Sequence, residues 1–167
     1  MSTKRHGATK QGIKPSVLLH GNLTDAALDA LAKKKVGQVF LVEGRPGLKA
    51  AQAASRRLLK RKIKPVVVAD NMMGFLFARG LVQEVWWPYR VGSDEGIVGD
   101  IGALIAGVLA KRHKVPFYGF PAREKTGFVG KAKELLYFAN KQVVPGTLKA
   151  YVPLTEWLPG KYITKVK

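Results

Sequence analysis

The sequence predicts a three-layer, Rossmann-like α/β domain with a mainly parallel sheet and helices on both faces. Three observations carry this. Short, nearly continuous runs of apolar and often β-branched residues recur along the chain, as in strands buried on both faces. Segments with apolar residues at helical spacing separate them, and strand–helix–strand alternation folds through right-handed crossovers. With 167 residues and 47% hydrophobic content, the chain is long enough for one core without metal or disulfide support.

The elements follow in order. Residues 1–16 hold Lys4, Arg5, Lys10 and Lys14 and little that is apolar, and read as a flexible basic arm ahead of a single domain over residues 17–167. Val17–Leu19 is the first apolar run. Asn22 or Thr24 can cap a helix carrying Ala26, Ala27, Leu28 and Leu31. Residues 36–42 read as a buried strand, and 48–62 as a helix with Leu48, Ala51, Leu58 and Leu59 apolar. Pro65 opens a strand over 66–69. A short helix over 71–79 stops at Gly80, and 82–87 is the next strand. Residues 92–96 read as a turn before a helix over 100–113, in which Ile101, Leu104, Ile105, Val108 and Leu109 are apolar. Strand 115–120 follows. The tail is less regular, with a helix expected over 131–140 and an edge strand over 162–166.

Charge is the outlier: 29 Lys and Arg against 11 Asp and Glu leave a net +18. Such a field favours polyanionic partners, RNA or a ribosome among them, and says nothing about fold. The absence of cysteine excludes disulfides, thiolate catalysis and cysteine-based metal sites. Three scattered histidines make no metal cage, so no metal is expected. No run approaches the ~20 apolar residues of a membrane span, and the basic leader lacks a signal sequence's apolar core. A cytoplasmic location is the default expectation. Gly92–Gly96 lacks dinucleotide-fingerprint spacing and no phosphate-loop motif occurs, so no cofactor is expected.

In open parallel sheets, ligands bind beyond the carboxyl ends of the strands. That rule selects four loops: His20-Gly21-Asn22, Glu43 to Gly47, Asp70-Asn71, and residues 88–99. Three of them open onto a helix N-terminus, which favours anions. Arg45 offers a planar fork for phosphate or carboxylate, or else pairs with Glu43. Asp70 and Asn71 either contact hydroxyls or cap their helix. In the segment Arg56 to Lys64, Arg57 and Arg61 share one helix face, as do Arg56 and Lys60. These are candidate nucleic-acid contacts, together with Lys4 and Arg5, unless the helix simply turns a solvated side outward. Trp86 and Trp87 point to opposite faces of their strand. The small residues Gly102, Ala103, Ala106, Gly107 and Ala110 suggest close approach of another element or of a second subunit.

Taken in order, these segments resemble one family. Residues Ala69-Asp70-Asn71-Met72-Met73-Gly74-Phe75-Leu76 are similar to T-D-N-M-A-G-Y-L, Glu43-Gly44-Arg45-Pro46 to E-T-R-P, and His20-Gly21-Asn22 to H-C-N. Residues 80–85 resemble G-x-V-D-x-V, 108–118 resemble V-L-A-K-x-H-x-I-P-F-Y, and 159–164 resemble P-x-E-L-I-T. The family is the C-terminal half of the methylthioribose-1-phosphate isomerases. The ribose-1,5-bisphosphate isomerases and the regulatory subunits of translation initiation factor 2B share it. The resemblance implies a dimer-forming α/β domain with its site at these loops, at His20, Asn22, Arg45, Asp70, Asn71 and Arg90.

The departures are specific. The isomerases' cysteine falls at Gly21, their aspartate at Tyr89, and their N-K pair at Gly99-Asp100. The family's N-terminal helical domain has no counterpart in these residues. Isomerisation between adjacent sugar carbons needs a group that moves a proton, and glycine supplies none. The expectation is therefore a non-catalytic, homodimeric module holding a phosphorylated sugar or nucleotide, or a protein partner. An RNA- or ribosome-associated protein is the alternative. A divergent sugar-phosphate isomerase using His20 as base is the third reading. A carboxylate placed beside the pocket would reopen the catalytic question.

Overall fold

The computed structural model describes residues 14–123 and 127–167. The elements are strand β1 (Ser16–Leu19), helix α1 (Asp25–Lys33), β2 (Gln38–Val42), α2 (Lys49–Lys60), β3 (Val66–Val68), α3 (Met73–Ala78), β4 (Glu84–Ser93), β5 (Gly96–Asp100), α4 (Ala103–Arg112), β6 (Phe117–Pro121), α5 (Lys133–Leu136), the hairpin β7 (Tyr137–Phe138) and β8 (Lys141–Gln142), β9 (Thr155–Pro159) and β10 (Lys165–Val166). The main sheet runs β10-β6-β4-β1-β2-β3, all parallel. On one side β5 pairs antiparallel with β4, and β9 with β5. The strand order reverses between β1 and β4, which places the switch-point crevice beyond Leu19 and Trp87.

Helices cover both faces. Leu28 and Leu31 of α1 and Ala54 and Leu58 of α2 pack with Val17, Leu19 and Trp86. Leu76 and Phe77 of α3 and Ala106 and Ala110 of α4 pack with Leu18, Val85 and Trp87. The two tryptophans thus enter different layers, as strand alternation requires, and both are buried. Thr24 is the α1 cap, its side chain accepting from Ala27 N. At the edge, β3 leaves Val66 and Val67 exposed, so that run is not covered on both faces.

Three sequence expectations are corrected. Residues 92–96 turn β4 into the antiparallel β5 rather than into a helix, and α4 begins only at Ala103. The apolar residues expected inside that helix face outward: Leu104, Ile105 and Val108 are exposed, while Ala103, Ala106, Gly107 and Ala110 are buried. The reason is distance. A Cβ on Gly107 would lie 2.7 Å from Leu158 Cδ1, so only small residues let α4 sit this close to β9. The small-residue face is therefore spent within the chain. Last, helix 131–140 shrinks to the four residues of α5. Ala139 and Asn140 both take positive φ (49° and 62°), the pattern of a two-residue hairpin turn, so the chain doubles back as β7–β8.

Candidate functional site

The crevice at the switch point holds a cavity of about 220 Å³, bounded by His20, Arg45, Lys49, Arg90, Asp100 and Glu134 with Leu48 and Leu154 as apolar neighbours. His20 leaves β1 and lies flat on Trp87, with ring centroids 4.3 Å apart and planes within 10°. The hairpin β4–β5 brings in Asp100. Its Oδ1 accepts from Arg90 Nη2 at 2.8 Å, and its Oδ2 lies 3.7 Å from His20 Nε2. Trp87 Nε1 donates to the Asp100 carbonyl at 3.0 Å, which fixes the backbone beneath that carboxylate. Burial pushes the His20 pKa below its ordinary 6.5, against the opposing pull of Asp100 and Asp70, so the imidazole is neutral at pH 7.

The loop after β2 is held from below. Asp70 accepts from Gly44 N at 3.1 Å and from Arg45 N at 2.7 Å. These bonds leave the Arg45 guanidinium free to reach over the Phe138 ring, 4.4 Å from its centroid. No ion pair joins it to Glu43 among the described residues. Three cations (Arg45, Lys49, Arg90) against two carboxylates (Asp100, Glu134) leave the lining with one net positive charge. No cluster of metal-ligating side chains occurs among the described residues.

Position 21 is closed to a side chain. Gly21 has φ +68°, and a Cβ there would lie 2.6 Å from Pro88 Cγ and 3.0 Å from Asp100 Oδ2. Asp100 therefore fills the space into which a larger residue at 21 would project. The Tyr89 hydroxyl lies 3.3 Å from the Lys167 carbonyl oxygen, at the far side of its strand from Arg90.

Of the six residues expected at the loops, His20, Arg45 and Arg90 line the cavity and Asp70 supports it from behind. Asn22 and Asn71 lie elsewhere. Asn22 Oδ1 accepts from Arg57, and Asn71 borders an apolar groove between α3 and α4. Asp100, Glu134 and Phe138 were not expected. Asp100 had looked like the start of a helix, and the other two belong to the misread 131–140 segment; only the turn signal at 92–96 hinted at the hairpin.

The basic candidates also separate. Arg57 is buried and binds Asn22, the Leu23 carbonyl and Asp25, while Arg61 binds Asp25 and Asp29. Both thus tie α2 to α1. Hydrogen bonds from Arg57 and Arg61 pull the Asp25 pKa from its ordinary 3.8 to about 2. Arg56 and Lys60 are exposed. Lys4 and Arg5 lie outside the described residues.

Comparison with known proteins agrees with this architecture. A methylthioribose-1-phosphate isomerase of Koribacter versatilis is 29% identical over 146 residues, 77% of this chain and 40% of the relative. The crystal structure of translation initiation factor 2B subunit delta from A. fulgidus superposes with TM-score 0.79 at 20% identity, covering 91% of this chain and 51% of that one. A 5-methylthioribose 1-phosphate isomerase from Pyrococcus horikoshii gives TM-score 0.77 at 21% identity, covering 92% and 49%. The chain spans about half the length of these proteins. Residues 13–166 match the initiation factor 2 subunit family, and with the sheet order and loop motifs in agreement, the chain belongs to that family.

Proposed function

We propose that this chain is a non-catalytic, cytoplasmic module of the family whose switch-point cavity binds a phosphorylated sugar or nucleotide. One observation carries the reading. The cavity keeps two guanidinium groups, Arg45 and Arg90, while the positions of the isomerases' thiol and carboxylate hold a glycine with no room for a side chain and a tyrosine directed at Lys167. Guanidinium forks suit phosphate, and a ribose phosphate is small enough for a cavity of this size. Titration calorimetry with pentose phosphates and nucleoside monophosphates tests it. Saturable binding that is lost in Arg45→Ala is the expected outcome; no heat with any of them overturns it.

A second reading has its own support. Asp100 stands beside His20 in the cavity, a neutral imidazole next to a carboxylate, which is a pairing able to move a proton. Turnover of ribose or methylthioribose phosphates, abolished by His20→Ala or Asp100→Asn, would assign the chain to divergent isomerases and end the non-catalytic reading.

The module works as a homodimer. The exposed apolar residues Phe75, Leu104, Ile105 and Val108 on neighbouring helices α3 and α4 support this, in place of the buried small-residue face. Sedimentation should show a dimer that Ile105→Glu converts to monomer. A wild-type monomer would leave that face to a different protein.

A further inference from the structure

The parallel registers put the turns that precede β1, β2, β3, β4 and β6 along one edge of the sheet, opposite the cavity. These turns are residues 14–15, 33–37, 61–65, 79–83 and 111–116. Together they carry eleven Lys and Arg and no Asp or Glu. Three are occupied: Lys34 pairs with Glu84, Arg61 with Asp25 and Asp29, and Lys111 donates to the Lys161 carbonyl. The other eight have no carboxylate partner among the described residues.

Cations at helix exits complement the dipole, and that accounts for part of the pattern. Four helices end here, at about half a unit of negative charge each, or about two in all. Roughly six positive charges stay uncompensated. Backbone conformation adds a second, independent observation. Lys35, Lys62 and Lys114 each occupy the left-handed region at a helix exit (φ 52°, 59° and 57°), where glycine is favoured and where Gly80 closes α3. Lysine is thus kept at three exits against backbone preference. Lys35, Lys62 and Lys64 also border one groove of about 290 Å³ between the turns after α1 and α2.

We propose that this amino edge of the sheet docks the phosphodiester backbone of a nucleic acid. Five strands at about 4.8 Å spacing make an edge about 19 Å long. At 3.4 Å rise, that matches about six successive phosphates of one duplex strand. The contact surface is this row of turns, not the outer side of α2 where Arg56 and Lys60 lie.

The test uses fluorescence anisotropy with 20-base-pair RNA and DNA duplexes of one sequence at 50 and 200 mM KCl. The full chain is compared with the triple variant Lys35→Gly, Lys62→Gly, Lys114→Gly and with Arg56→Ala, Lys60→Ala. Glycine relieves the left-handed positions, so the triple variant should melt no lower than the parent and its defect will not reflect misfolding. Expected is binding that weakens about a hundredfold or more between the two salts, as four or more phosphate contacts require, with a slope about 2.7 shallower in the triple variant. Binding of one duplex alone names the source, and binding of either supports the proposal. Undetectable binding at 50 mM, salt-insensitive binding, or an unchanged slope in the triple variant overturns it. So does displacement by polyglutamate as ready as by unlabelled duplex, or loss confined to the Arg56, Lys60 variant.

Discussion

At the carboxyl edge of the sheet, half-buried charges meet partners. Asp100 lies between Arg90 and His20, Asp70 holds two backbone N–H groups, and Arg45 covers an aromatic ring. At the amino edge, lysines stand in exposed turns with no carboxylate among them, three in backbone conformations that lysine adopts at a cost. One edge is a small, nearly neutral pocket shaped by tertiary contacts. The other is a broad field that needs no shape. A small ligand demands the first arrangement and a polymer tolerates the second, so the two edges suit different partners even though one sheet carries both.

The largest expected effect tests how far the pocket is core. Trp87→Ala removes a fully buried ring that also carries His20, and should cost about 3–5 kcal/mol, a drop in melting temperature on the order of 10 °C. Denaturant unfolding measures this; a loss under about 1 kcal/mol would mean that the stacked pair is not part of the core. Gly21→Cys restores the thiol of the family's isomerases but drives its Cβ into Pro88. It should destabilise by about 1–3 kcal/mol without producing isomerase turnover. Measured turnover would show that a glycine at 21 was all that separated this pocket from catalysis.

The arginines sharpen the contrast within one helix. Arg57→Ala strands Asn22 and the Leu23 carbonyl and should cost about 1–3 kcal/mol, while Arg56→Ala, at an exposed position, should stay within about 0.5 kcal/mol. Next come pH effects. His20 is held below 6.5 in the folded state, so the unfolded chain binds its proton first, and stability falls as pH drops below about 6.5. His20→Gln should flatten that limb of the stability–pH curve. Asp25 has its pKa lowered to about 2, so its contribution is full above 3.8 and is lost as pH falls through about 2; Asp25→Asn should remove that acid limb. The smallest effect has the opposite sign. Lys35→Gly should stabilise the fold by up to about 1 kcal/mol, since the left-handed turn no longer opposes a side chain.

Much of the fold was legible because its signals are local. Thr24 caps where a capping residue was expected, and the runs expected as strands at 17–19, 36–42 and 115–120 became the parallel strands 16–19, 38–42 and 117–121. The departures have two separate causes. In α4 the most hydrophobic residues face solvent because Gly107 lets the helix press against Leu158, and the distance between elements is not written in a helical period. At 137–142 two positive φ angles reverse the chain; Asn140 is the one local turn signal, and Ala139 gives none.

The sequence alone determined the alternation of strands and helices, the excess of positive charge, the family, and the replacement of the isomerases' thiol by glycine, because each depends on residue type in linear order. Tertiary structure decided which residues meet. It drew Asp100 and Glu134 into the cavity, withdrew Asn22 and Arg57 into the α1–α2 junction, and gathered lysines from separate turns onto one edge. The physical reason is that a parallel sheet brings every crossover's ends to two opposite rims. Residues dozens of positions apart thus become neighbours through strand register, which no local pattern encodes.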